Sequence, residues 1–338
     1  MKTVVIGTGQ MGRRHIQVVK EMGLELVGVC DPMPEALALA EKEQGIPKEI
    51  HFSDTAAMIK KLRPECVVIA TTAPTHCEYT CLAAENGAKF ILCEKPMAIS
   101  MMQCDQMLEA CKKFGTKLAI NHQMRFMEQY IEPKKLINSP VYGGLASVTV
   151  VAGNFGIAMN GTHYIEMFRY MTDENPAEVT AWFSADKVPN PRGPQFEDRA
   201  GSVRITTASG KRFYMEVGAD QGNGLKVIYA GRNGQIMVEE LSGRMTLIAR
   251  EEQYRDLPTT RYGMPSQSSE QTITPADVIA PTRAVLEALI QGANPPSGED
   301  GRHAVAALVA AYISDEEGHR PVKIEETRNY QTRSFPWA

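Results

Sequence analysis

The sequence predicts an α/β protein in two parts: an N-terminal doubly wound parallel sheet, then a C-terminal α+β domain built on a large, mostly antiparallel open sheet. Three observations carry that reading. The chain has 338 residues, too many for one ordinary core at roughly 150 residues per domain. All seven cysteines lie within the first 111 residues, whereas 19 of the 23 aromatics follow residue 120, so the two parts are made of different materials. Strand and helix signals alternate up to about residue 121 and then give way to consecutive strands. Domains are therefore expected at 1–121 and 122–338.

The alternating part begins with a β-branched run at 3–6, a Gly-rich turn, and a helix over 10–22. Residues 24–30 read as a second strand, 34–44 as a helix and 49–52 as a short strand. Ser53 is placed to cap a helix that runs to Leu62. The nearly unbroken apolar run 66–72 has the pattern of a strand buried on both faces of a parallel sheet. A helix over 76–85 ends near Asn86-Gly87, where glycine takes the left-handed cap. A strand at 89–94, a helix at 100–114 and a strand at 117–122 complete the series, and repeated βα units imply right-handed crossovers.

The second part starts with a helix at 127–137, a strand at 145–151 and a helix at 162–171. Six strand signals follow, at 179–185, 202–207, 212–217, 226–230, 235–239 and 245–250, with Ser209-Gly210 and Asn233-Gly234 between pairs of them as hairpin turns. Late helices at 275–291 and 301–314 are expected to return and cover exposed surface. The polar stretch 258–271 reads as a mobile or intersubunit loop.

Composition narrows the function. At 43% apolar and 22% charged the chain resembles soluble globular proteins, not disordered, collagen-like or membrane ones. Residues 1–120 balance 14 basic against 14 acidic side chains, so the net charge of −4 arises entirely in the remainder, 22 against 26. Nothing resembles a polybasic nucleic-acid face. Without a CxxC pair or a Cys/His zinc spacing, no metal is expected. A first strand starting at Lys2 leaves no room for a signal peptide, so a cytoplasmic protein with reduced, mostly structural thiols is expected.

Gly7-Thr8-Gly9-Gln10-Met11-Gly12 is a GxGxxG turn between a strand and a helix, where a helix N-terminus can hold a pyrophosphate. Asp31, 19 residues after Gly12 and at the end of the second strand, can accept hydrogen bonds from an adenosine ribose. It would repel a 2′-phosphate, and Pro32-Met33 adds no cation, so NAD is expected over NADP. The competing reading of Asp31 is a turn-forming Asp-Pro. Thr71-Thr72-Ala73-Pro74-Thr75-His76 and Glu94-Lys95-Pro96 follow the next two strands, and both place polar groups where the nicotinamide half would extend.

These residues, above all Cys93-Glu94-Lys95-Pro96, resemble the Gfo/Idh/MocA oxidoreductases, named for glucose-fructose oxidoreductase and inositol dehydrogenase. The resemblance covers essentially the whole chain. It implies a Rossmann domain, and a C-terminal domain whose open sheet often forms a homodimer or homotetramer interface. It further implies hydride chemistry on sugars, cyclitols or sugar nucleotides, with Lys95 catalytic. A second family motif, Asp-x-Gly-x-His, corresponds to Met159-Asn160-Gly161-Thr162-His163. Gly161 and His163 match, Met159 replaces the aspartate, and Asn160 stands next to it as a possible polar substitute. Asn160, Thr162 and His163 are the implied substrate contacts.

Oxidising a secondary alcohol requires removal of the hydroxyl proton as hydride leaves the same carbon. His163 suits the base near neutrality, and the Lys95 ammonium would stabilise the developing alkoxide. The two are expected to bracket one substrate oxygen. Asn121 and Arg125, just past the sixth strand, are further candidates for substrate or nicotinamide contact, with pairing to a carboxylate as the alternative for the arginine. His15, His51, His303 and His319 show no partner spacing and read as structural or exposed. Two other functions fit: a lyase or glycosidase using NAD for transient oxidation and elimination, and a non-catalytic NAD-binding sensor.

Overall fold

The computed structural model describes residues 1–185, 190–222, 224–258 and 264–338, which form two compact units. No described helix is long and apolar enough to cross a membrane. All seven cysteines are free thiols, six of them buried.

The first unit comprises Met1–Gln123, Val278–Val305 and Tyr330–Ala338. Its strands are β1 (Lys2–Ile6), β2 (Glu25–Cys30), β3 (His51–Phe52), β4 (Cys66–Ile69), β5 (Phe90–Cys93) and β6 (Lys117–Ile120). They pair in parallel in the order β3-β2-β1-β4-β5-β6. Between them run α1 (Gln10–Glu21), α2 (Pro34–Gln44), α3 (Thr55–Leu62), α4 (His76–Glu85) and α5 (Met101–Phe114). Val4, Val5 and all four residues of β4 are buried, as strands covered on both faces must be. The strand order reverses between β1 and β4, which opens a crevice beyond their carboxyl ends.

Local signals held with small shifts. Asp54, not Ser53, caps α3, its carboxylate accepting from Ala57 N at 3.0 Å. Gly87 takes φ +89° after α4. The unit also takes in chain that a boundary at 121 leaves to the second domain. Helix α8 (Ile279–Gln291) packs on α1, β5 and β6. Ile120 N donates to Pro296 O at 2.9 Å, and Phe335 N to Ile99 O at 2.9 Å. Burial of Val285, Leu286 and Trp337 explains the assignment: these late apolar side chains complete the first core. The strand signals near residue 121 show only where the chain leaves that sheet.

The second unit comprises Met124–Asp277 and Ala306–Asn329. It contains α6 (Glu128–Ile137), β7 (Leu145–Gly153), α7 (Gly161–Thr172), β8 (Pro176–Phe183), β9 (Gly201–Thr207), β10 (Arg212–Gly218), β11 (Leu225–Gly231), β12 (Gly234–Glu239), β13 (Arg244–Arg250), β14 (Ser266–Thr272) and β15 (Val322–Lys323). Helix α9 (Gly298–Glu316) divides between the units at Val305/Ala306. The sheet order is β14-β13-β12-β11-β7-β10-β9-β8-β15, antiparallel except for β10 with β7. Val148, Val150, Phe213, Met215, Val227 and Tyr229 point into the core, while Val151, Tyr214 and Ile248 alternate outward.

The expected loop at 258–271 is corrected in part. Ser266–Thr272 forms the fully exposed edge strand β14, paired along β13; residues 259–263 lie outside the described residues. A Ser/Gln-rich segment lacks the apolar alternation that marks a strand, because neither face of this edge is buried.

Behind α7 the core holds one acid. Glu240 accepts hydrogen bonds from the hydroxyls of Tyr130 and of Tyr164, the latter at 2.9 Å, and burial raises its carboxyl to about 7 against the pull of those two bonds. Between the ordinary value of 4.5 and about 7, the folded chain keeps a proton that the unfolded chain has lost. Stability therefore falls as pH rises through that window, by up to about 3 kcal/mol. Glu240→Gln is expected to flatten this slope and to melt higher than the parent chain at pH 8. Thermal melts between pH 4.5 and 8 check it; an unchanged slope would assign the pH dependence elsewhere.

Candidate functional site

The glycine turn after β1 is shaped by backbone contact. Gly7 has φ +88°, and a Cβ there would lie 2.7 Å from Ala70 O; a Cβ on Gly12 would overlap Gly7 O. Those two glycines let β1, β4 and α1 approach closely. Gly9, which caps α1 without any side-chain bond, has nothing within 4 Å of its Cβ position. The first N–H groups of α1 lie beside that open position, at a helix end of the kind that favours a phosphate. Asp31 accepts from Thr8 N at 2.8 Å, from Thr8 Oγ1 at 3.1 Å and from Met33 N at 2.9 Å. The Asp31 carboxylate is therefore locked to the turn, and Thr8, fully buried, donates to it through its hydroxyl. Gln10 is exposed and Met11 half-buried at the start of α1.

The turn after β4 is laced by Thr75, whose hydroxyl donates to Thr71 Oγ1 at 2.8 Å; Thr72 is half-buried and Pro74 exposed. His76, read from the sequence as a cofactor contact, is fully buried. Its ring nitrogens lie 3.0 and 3.1 Å from the carbonyl oxygens of Pro96 and Thr71, so it clamps the two turns together. Burial lowers its proton affinity against the pull of those carbonyls.

At the end of β5, Glu94 Oε1 accepts from His15 Nε2 at 2.7 Å and from Asn121 Nδ2 at 2.8 Å, and Oε2 accepts from Lys95 N at 3.3 Å. Burial pushes this carboxyl up, but the bond and charge of His15, the Lys95 charge and the Asn121 bond outweigh it and hold it well below the usual carboxylate range. Glu94 and Asn121, expected to touch cofactor and substrate, are thus committed to each other inside the protein. Lys95 beside them is 8% exposed. His15 was missed: its partner lies 79 residues away, and its place on the inward face of α1 was the only signal.

In the second unit, Asn160 caps α7. Its amide donates to Phe155 O at 2.8 Å, so it braces the turn and does not reproduce a free carboxylate at Met159. That turn is held by a residue the sequence reading missed: Asp198 accepts from Ala158 N at 2.8 Å and Met159 N at 2.7 Å. Both Met159 and Asp198, with Phe155 and Asn154, line a cavity of about 180 Å³. Thr162 is fully buried and His163 is 6% exposed in the first turn of α7. Arg125 pairs with Glu166 one turn beyond His163 and lies 5.4 Å from the Tyr170 ring centroid, the carboxylate-pairing alternative to a substrate contact.

A parallel sheet of this strand order, a close-packed glycine turn at its first helix and a carboxylate fixed beside that turn define a dinucleotide-binding protein of the Rossmann class. The chain belongs to the Gfo/Idh/MocA oxidoreductase family: the family's NAD-binding Rossmann fold matches residues 1–122 and its C-terminal alpha/beta domain matches residues 153–324. Among curated relatives, the 2,7-anhydro-N-acetylneuraminate hydratase of Mediterraneibacter gnavus is 34% identical over 42% of this chain and 38% of its own length. The D-apiose dehydrogenase of Paraburkholderia graminis is 35% identical over 37% of this chain and 33% of its own, so the aligned stretches span under two-fifths of either relative. An oxidoreductase from Agrobacterium radiobacter, solved with NAD+, L-tartaric acid and magnesium, superposes with a TM-score of 0.79 at 19% identity, covering 96% of this chain and 98% of that one.

The glycine geometry separates fold from binding. Gly9→Ala is expected to cost no more than about 1 kcal/mol of stability and to weaken NAD at least about tenfold, since only the cofactor would meet the new methyl. Gly12→Ala is expected to cost more than the roughly 1–3 kcal/mol of ordinary overpacking. Calorimetric NAD titration alongside thermal melts distinguishes the two; equal effects on both quantities would refute the assignment.

Proposed function

We propose that the chain is an NAD-dependent dehydrogenase acting on a secondary hydroxyl of a sugar, cyclitol or sugar nucleotide. The observation that carries this reading is Lys95, mostly buried at the carboxyl end of β5 and joined through its own N–H to an ionised Glu94. A carboxylate at that place favours the ammonium form of the lysine, which donates to the substrate oxygen and stabilises negative charge as the proton leaves. His163, at the first turn of α7, takes the hydroxyl proton. Bound NAD would supply the hydride acceptor; Gly7 to Gly12 and Asp31 would hold its adenosine and pyrophosphate, Thr71, Thr72 and Pro74 would line its nicotinamide side, and Asn160, Thr162 and Arg125 would frame the substrate side. Seven free thiols suit the reducing cytoplasm.

A second reading rests on the hydratase relative: NAD held through a cycle of oxidation, elimination and reduction that ends redox-neutral. Appearance of NADH on a panel of polyols, sugars and sugar nucleotides supports net oxidation, whereas product without NADH supports the cycle. In either case Lys95→Ala is expected to lower kcat/KM by about 100-fold or more with NAD affinity unchanged, and His163→Ala by about 100-fold or more. Near-parental turnover of the Lys95 variant refutes the mechanism.

The outward sheet face supports a homodimer or homotetramer. Tyr214, Thr149, Ile228, Met237 and Thr246 stand in register across five strands, with exposed Val151 and Ile248 beside them, a contiguous and partly apolar face of the kind that pairs with another surface. Sedimentation is expected to give a dimer or tetramer and the paired change Tyr214→Arg with Ile248→Arg a monomer; a monomeric parent chain refutes it.

A further inference from the structure

The Glu94 carboxylate joins three elements at one point. His15 reaches it from α1, Asn121 from just past β6, and the Lys95 N–H from the second residue after β5. All four side chains are buried. We propose that His15 is a positioning residue for Lys95, acting through Glu94, so that the helix opened by the glycine turn sets the geometry of the lysine. This rests on the reading of Lys95 as the catalytic group.

The chemistry of the contacts supports a directed chain. An ionised carboxylate only accepts, so His15 Nε2 carries the proton that faces Oε1. The other nitrogen, Nδ1, is buried without a hydrogen-bond partner among the described residues, as is Asn121 Oδ1. Both His15 and Asn121 therefore direct their donors to one oxygen of Glu94. The second oxygen is left to the backbone at Lys95. With His15 removed, a buried anion keeps one side-chain donor fewer, and the change falls on Glu94 and Lys95, which lie between β5, paired on both sides, and Pro96, held by His76.

The test uses His15→Ala, His15→Gln and Glu94→Gln, and the double change His15→Ala with Glu94→Gln. Steady-state kinetics and NAD binding form one arm. The other arm needs no substrate: the acetylation rate of the Lys95 amine by acetic anhydride in the full chain, read by peptide mass spectrometry against exposed Lys60. His15→Ala is expected to lower kcat about tenfold or more and to shift Lys95 acetylation by about threefold or more, with NAD affinity within about threefold. Glutamine, which can still donate to Oε1, restores both, and the double change is no worse than Glu94→Gln alone. Unchanged Lys95 acetylation in His15→Ala overturns the proposal, as do additive effects in the double change. If His15→Ala gives no melting transition, the comparison of His15→Gln with Glu94→Gln decides: the proposal requires the first to behave as the parent chain and the second to shift Lys95. If no polyol is turned over at all, the dehydrogenase reading fails, while the acetylation arm still decides the role of His15.

Discussion

Keeping an ionised carboxylate out of water at the end of β5 is the constraint around which the first unit is arranged. A bare buried charge of that kind is costly enough that it would take up a proton or draw in solvent. Glu94 avoids both outcomes because a histidine, an amide and the lysine that follows it converge from three elements. That convergence requires α1 to lie close against the sheet. Gly7 and Gly12 permit the approach, since side chains there would collide with backbone. The glycines thus have two consequences. They shape the turn that opens α1, and they bring His15 within reach of Glu94.

The second unit solves a different problem, that of presenting a helix from one face of a sheet. Helix α7 rests on β7 and beside α6, with Phe168 against Phe213. It is pinned at three places by polar contacts: Asp198 on the preceding turn, Arg125 on Glu166, and Glu240 on Tyr164. Each uses a carboxylate from outside the helix or within it to fix rotation about the helix axis, which apolar packing alone leaves loosely set. His163 inherits that orientation.

Elements whose signal is local were legible. Helices α2 and α4 run over the residues their periodicity indicates, and the strands of the second unit fall within a few residues of the alternating runs. Strand β14 was not legible, since an edge strand exposed on every side chain carries no alternation. At the site, Gly7, Gly12 and Asp31 were readable because a turn, a helix start and a strand end lie within 25 residues of one another. His76, Glu94 and Asn121 lie just beyond their strands as read, and each is a buried side chain bonded within the first unit, contacts that carry no local sequence signal. Asp198 and Glu240 had no readable signal, and His15 had only its place on the inward face of α1, because each acts on a partner 39 or more residues away.

The amino-acid sequence by itself determined the two kinds of sheet, the glycine cradle with its acidic partner, and the Glu-Lys-Pro turn after β5, since each depends on backbone conformation or on periodicity over a short span. Tertiary structure decided which chain completes the first core, drawing in α8 and the C-terminal residues, and which polar side chains face inward. Those choices depend on long-range burial: a carboxylate is a ligand contact or an internal anchor according to what the fold places within 3 Å of it, and that distance is set by packing between segments that share no local pattern.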